Sequence, residues 1–154
     1  MASTIRSIAF EAGITHIGSG ASIAAAGSLS GSADISTALV GSGNLVRYPL
    51  CDVALMCAAT ASIAAASTSV ELYRRDLNVD ATNDTKIPDA SNLVRQVGVF
   101  QIPAATTVST THYALAADVK LTGGDCEFYL RNQLAVNIVA GWTLKVTPKT
   151  DAFA

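Results

Sequence analysis

From Leu45 to Ala58 the chain reads LVRYPLCDVALMCA. Its second half alternates so that Cys51, Val53, Leu55 and Cys57 fall on one face of an extended strand, with Asp52 and Met56 on the other. A helix would scatter those four residues around its circumference, because side chains repeat every 3.6 residues there and every two in a strand. The stretch SVELYRRDLNV, residues 69–79, reads the same way, and between the two lies ATASIAAAST, either a long hairpin loop or a short helical insert. Beyond a polar loop, DATNDTKIPDAS, come NLVRQVGVFQI, TTHYALAADVKL, CEFYLRNQLAVNIV and GWTLKVTP, each bounded by Gly, Pro, Asn or Asp. Gly123-Gly124-Asp125 marks a tight turn, and Pro148 is expected to close the last strand. The predicted strands are 46–58, 69–79, 93–102, 110–121, 125–131 and 142–147. Short strands between turn formers, without a long helical period, predict an all-β, antiparallel, jelly-roll-like β-sandwich. Phe100, Phe128, Tyr129 and Trp142 fall in this part of the chain, so the densest packing is expected there.

The N-terminal part differs. Ser19 to Gly43 runs SGASIAAAGSLSGSADISTALVGSG, rich in Gly and Ser, with Asp34 as its one charge. Such a segment cannot offset its ordering entropy alone, so residues 1–43 are expected to form an extended arm, followed by a β-sandwich domain over 44–150 and a tail over 151–154. Ile23, Leu29, Ile35, Leu39 and Val40 are too apolar for a solvated linker, which suggests that the arm packs on its own domain or on a neighbouring subunit. The recurrence of ASIAAA at Ala21–Ala26 and Ala61–Ala66 is a single event in low-complexity sequence and implies no repeat architecture.

Composition narrows the function. The 154 residues suit one domain. Half are hydrophobic, but only 6% are aromatic and 14% charged, and Ala, Gly, Ser and Thr make about 44% of the chain. A solitary soluble protein normally carries more surface charge, so copies of the chain or partners are expected to cover part of this one. The net charge of −2 argues against nucleic acid as a partner, and the Arg74-Arg75 pair is expected to be solvated at a strand end. The apolar run from Val53 to Ala66, with Thr60 and Ser62 inside it, is too short for a membrane helix. MASTIRSIAFEAG lacks the apolar run and cleavage site of a secretory leader, so synthesis and accumulation in a cytoplasm are expected.

Catalytic and ligand motifs are missing. Cys51 and Cys57 would lie roughly 20 Å apart along one strand, at about 3.3 Å per residue, too far to bond. With Cys126 they are expected to be buried thiols; no structural zinc is expected, since His16 and His112 lie in unrelated segments. The G-x-G clusters at Gly18 and Gly41 lack the third glycine of a dinucleotide site, and Gly27-Ser28-Leu29-Ser30-Gly31 misplaces its serines for a nucleophile elbow. The best ligand-like spacing is Asp76, Asn78 and Asp80, but a calcium loop would need glycine where Ala81 stands and glutamate where Ile87 stands. The expected role is the polar face of a strand entering an Asx-rich turn. No catalytic, cofactor-binding or metal-ligating residue is assigned, no cofactor is implied, and the chain is expected not to be an enzyme.

Tyr48 to Thr150 resembles a family of tailed-bacteriophage virion structural proteins, the small jelly-roll proteins that decorate or cement heads. The likeness is carried by YPLCDVAL (Tyr48–Leu55), VELYRRDLNVDATND (Val70–Asp84), VGVFQIP (Val97–Pro103), CEFYLRN and GWTLKVTPKT. It covers about two thirds of the chain, leaves out the segment before Gly43, and transfers no catalytic residue. It implies a non-enzymatic decoration or cement protein on a capsid surface, made in a bacterial host's cytoplasm. The implied partners are the major capsid protein or other virion subunits and copies of itself, as a homotrimer. The alternative is a head-fibre or tail-associated module that binds a receptor or glycan, since jelly rolls also host lectins.

Overall fold

Alternation is converted into burial most regularly along Leu50–Ala58 of the computed structural model, which describes residues 5–9, 14–31, 33–34, 50–66, 68–77, 85–93, 95–120 and 126–153. The strands are β1 (Ile5–Ala9), β2 (Ile14–Gly20), β3 (Ser28–Leu29), β4 (Ala33–Asp34), β5 (Leu50–Ala58), β6 (Ser69–Asp76), β7 (Gln96–Gln101), β8 (Thr111–Lys120), β9 (Cys126–Asn132) and β10 (Trp142–Phe153). No helix occurs among the described residues. Each of the six predicted strands is present, and the described residues of ATASIAAAST, 59–66 and 68, form a loop whose Ile63 makes an isolated bridge with Ala105.

All strand pairs are antiparallel and form two sheets. In the first, β10 is flanked by β5, which pairs in turn with β8; the other side of β10 takes β2 along Trp142–Val146 and β1 along Lys149–Phe153. In the second, β9 is flanked by β6, which pairs with β7; the other side of β9 takes β3 and then β4. With β1 and β2 counted as one lane and β3 and β4 as another, the chain fills eight lanes. The first sheet holds the first, eighth, third and sixth, and the second sheet the second, seventh, fourth and fifth. That interleaving is the double Greek key of a jelly roll.

The described residues of the segment expected as an arm, 5–9, 14–31 and 33–34, thus lie on their own domain and supply one edge lane to each sheet. The sandwich therefore does not begin at residue 44. A second difference concerns Pro148: the last strand does not end there but runs to Phe153, opposite Ile5, so residues 151–153 are strand and not tail. Pro148 has no N–H to give a ladder. It falls between the β2 pairing, which ends at Val146, and the β1 pairing, which begins at Lys149.

The core lies between the sheets. Cys51, Val53, Leu55 and Cys57 of β5, Leu144 and Val146 of β10, Val70 and Leu72 of β6, and Phe128 and Leu130 of β9 are all buried. Trp142 is buried beside Gly20, where a Cβ would stand 2.1 Å from the indole Cε2, and its Nε1–H donates to the Ala21 carbonyl at 2.7 Å. Asn132, fully buried, ties three segments together. Its Nδ2 donates to the carbonyls of Ile23, Ala24 and Val136, and its Oδ1 accepts from the Leu134 N–H.

Candidate functional site

The outer faces of the two sheets are built from different chemistry. On the second sheet, β6 and β9 each carry Glu-x-Tyr-x-Arg: Glu71, Tyr73 and Arg75 on one, Glu127, Tyr129 and Arg131 on the other. Because the strands are antiparallel, Glu71 stands opposite Arg131, Tyr73 opposite Tyr129, and Arg75 opposite Glu127. Arg131 Nη1 lies 3.3 Å from Glu71 Oε2 and Arg75 Nη1 lies 3.2 Å from Glu127 Oε2. Each tyrosine hydroxyl donates to the glutamate two residues before it, at 2.9 Å for Tyr73 and 2.8 Å for Tyr129. Gln133 Nε2 also donates to Glu71. Burial, reinforced by the hydrogen bond to the neighbouring carboxylate, pushes both phenols above their ordinary value. This face has satisfied its own polar groups.

The outer face of the first sheet has not been closed in this way. Along the edge strand β8, Tyr113 is 74% and Leu115 58% exposed. They stand opposite Met56 and Ala54 of β5, which stand opposite Thr143 and Lys145 of β10. The result is a flat strip of Tyr113, Leu115, Met56 and Ala54 with Lys145 as the charge among these six outward residues. Sequence period alone would orient β8 the other way, since Tyr113 and Leu115 are larger than Ala114 and Ala116. The structure turns the small residues inward because β7 crosses close behind them: a Cβ on Gly98 would lie 2.9 Å from the Ala116 Cβ. At Ala116 the methyl group already fills the space that glycine leaves in β7.

At one end of the strip lies a polar clasp. Asp52 of β5 is set against two residues of β8, Ala117 and Asp118, in a bulge, where Asp118 takes the left-handed conformation with φ 54°. The Asp118 N–H donates to Asp52 Oδ1 at 3.0 Å. Lys149, on β10, is buried except for 8% and places Nζ 2.8 Å from Asp52 Oδ1 and 2.5 Å from Asp118 Oδ1. Hydrogen bonds to Asp118 and then Asp52 raise the lysine above its ordinary range. The nearby groove between β7 and β8, lined by Gln96, Val97, Asp118 and Lys120, is open and shallow.

Residues singled out in the sequence are not brought together. Arg74 is not solvated: it is buried between the sheets, pairs with Asp76 at 2.7 Å, and donates from Nη1 to the Lys120 carbonyl at 2.7 Å. Asp76 is also paired with Arg95, so the first carboxylate of the calcium-like spacing is occupied by guanidinium groups; Asn78 and Asp80 lie outside the described residues. His112 is buried in β8 opposite Cys57, whereas His16 is in β2. Cys51, Cys57 and Cys126 are buried thiols, and burial pushes Cys51 up to about 12 and Cys57 to about 11, far from thiolate chemistry at neutral pH. Among the described residues, no group of three or more His, Cys, Asp or Glu side chains is placed to hold a metal ion, and no helix is long and apolar enough to cross a membrane.

Sequence reasoning missed both the Tyr113–Leu115 strip and the facing Glu-x-Tyr-x-Arg motifs. The second was legible as ELYRR at 71–75 and EFYLR at 127–131; the first was not, because it depends on the distance between β7 and β8. No family model, no curated protein and no solved structure matches this chain.

Proposed function

We propose that this chain is a non-enzymatic structural protein that docks through the outer face of its first sheet onto an assembled surface, as a capsid decoration or cement protein of a tailed bacteriophage. The observation that carries the proposal is the exposure of Tyr113 and Leu115, 74% and 58%, on a flat and almost uncharged strip. Exposed apolar residues that lie together mark association surfaces more often than isolated ones do. Three strands about 4.8 Å apart and three residues at about 3.4 Å each give on the order of 150 Å², well under the roughly 800 Å² per partner of a stable pairwise interface. One such contact is weak, and a repeated lattice that engages many copies at once overcomes that weakness. Self-association into a homotrimer serves the same end by presenting three strips together. The small-residue, low-charge composition supports this reading.

The glycan-binding alternative calls for several exposed aromatic platforms; Tyr113 is the one large exposed aromatic among the described residues. The test is to purify particles from the producing host on a density gradient and count copies of the chain by quantitative mass spectrometry. Stoichiometric copies, reduced tenfold or more by the double change Tyr113→Ser and Leu115→Ser, are expected. Particles that lack the chain overturn the proposal.

A further inference from the structure

The clasp on the first sheet has the parts of a condensation site. Lys149 supplies an amine that is held, almost fully buried, against two carboxylates. Asp52 supplies an acyl carbon whose Oδ1 is gripped from two directions, by Lys149 Nζ at 2.8 Å and by the Asp118 N–H at 3.0 Å. Once the lysine nitrogen becomes the nucleophile, the Asp118 N–H is the donor left to hold the negative charge that develops on that oxygen. Asp118 supplies a second carboxylate, 2.5 Å from the same Nζ, with a side chain 63% exposed. The bulge that aims the Asp118 N–H at Asp52 keeps a non-glycine residue at φ 54°, a conformation Asp tolerates better than most residues.

We propose that Lys149 and Asp52 form an intramolecular isopeptide bond that joins β10 to β5, with Asp118 as the proton carrier. The resting state is the ion pair, an ammonium beside two carboxylates. Asp118 first takes a proton from Nζ. Asp118 passes that proton to Oδ2 of Asp52, and the freed amine lone pair attacks the now neutral acid at Cγ, forming the C–N bond, while negative charge gathers on Oδ1 under the Asp118 N–H. The other oxygen, Oδ2, then leaves as water: its C–O bond breaks as Asp118 relays to it a second proton, taken from the nitrogen. One ammonium and one carboxylate become one amide and one water, with no net proton exchanged and no oxidant or co-reactant.

Amide formation between free amines and carboxylates is unfavourable and slow in water. Here both groups are held on adjacent strands, and well-oriented intramolecular pairs reach effective molarities of about 10⁵–10⁸ M. The exposed Asp118 gives the released water a route to solvent. Since the two carboxylates also keep Lys149 protonated, the free amine is a minor species, and the bond forms in the folded chain after the clasp has assembled.

Intact-mass spectrometry of the full chain, aged in the folded state and then denatured, provides the test. The expected result is a mass lower by one water, with a branched peptide that links Lys149 to Asp52 after proteolysis. Lys149→Arg keeps the charge but cannot condense and should show the full mass. Asp118→Asn tolerates the same φ and should stay uncondensed, or condense at least tenfold more slowly, while its circular dichroism remains that of the wild type. A full-length mass for the folded, aged wild type overturns the bond, and a link to Asp118 instead of Asp52 overturns the assignment. Condensation of Asp118→Asn at the wild-type rate removes the role given to Asp118.

Discussion

The two outer faces of this sandwich have the same backbone geometry and opposite chemistry. On the second sheet, Glu71, Tyr73, Arg75, Glu127, Tyr129 and Arg131 bind one another across β6 and β9. On the first, Tyr113 and Leu115 bind nothing comparable and stand exposed. A face whose polar groups are already paired gains little by meeting a partner, because each new contact must first break an old one. A strip of mostly apolar side chains, with Lys145 as its charge, has few polar pairings to break and gives up mainly water. In the proposed reading, the second sheet carries stability and the first carries association.

That assignment can be broken most sharply at Asn132. Its side chain closes four hydrogen bonds inside the second sheet's end of the core. Asn132→Ala leaves three carbonyls and one N–H without it, at about 1–3 kcal/mol for each group that water cannot reach. A loss of at least 3 kcal/mol in urea denaturation is expected; a loss below about 1 kcal/mol would show that the core reorganises around the gap.

Gly98 probes the seam that turns Tyr113 outward. Gly98→Ala places a methyl against the Ala116 Cβ, with Leu72 Cδ2 at 3.6 Å behind it. Overpacking of this kind costs about 1–3 kcal/mol. Ala116→Gly in the same chain should return most of that loss, and a double-mutant cycle without coupling would reject the steric explanation for the orientation of β8.

Alkaline pH should act on the second sheet's face. Tyr73 and Tyr129 have folded values above their ordinary 10.0, because burial resists the phenolate. The folded chain then holds protons that the unfolded chain releases, so stability is intact below pH 10, falls as pH rises past that value, and levels off above the folded values. Tyr73→Phe, tested together with Tyr129→Phe, should flatten this part of the stability curve in denaturant titrations between pH 9 and about 11.5. The smallest effect belongs to the first sheet: Tyr113→Ser with Leu115→Ser should alter the unfolding free energy by less than about 0.5 kcal/mol per site while abolishing docking. If it unfolds the chain, the strip is part of the core and the comparison fails.

Where the signal was local, the sequence was sufficient. The alternation at Cys51, Val53, Leu55 and Cys57 established β5 and its buried face, and the turn formers between strands separated all six that were expected. The fold class followed, because period-two patterning reports which side of a strand meets water.

What could not be read locally was decided by pairing at a distance. The Gly- and Ser-rich N-terminus looked unable to order because its stabilisation comes from β9 and β10, more than 90 positions away by register, and a composition argument counts only what a segment can bury by itself. Pro148 resembled a strand end until the interval between β1 and β2 on that side of β10 made it admissible. Arg74 resembled a surface charge until Asp76 and the Lys120 carbonyl enclosed it. The orientation of β8, on which the proposed docking face rests, was set by the closeness of Gly98 to Ala116: hydrophobicity ranks residues by their aversion to water, but the gap between two sheets limits them by size, and only the folded chain defines that gap.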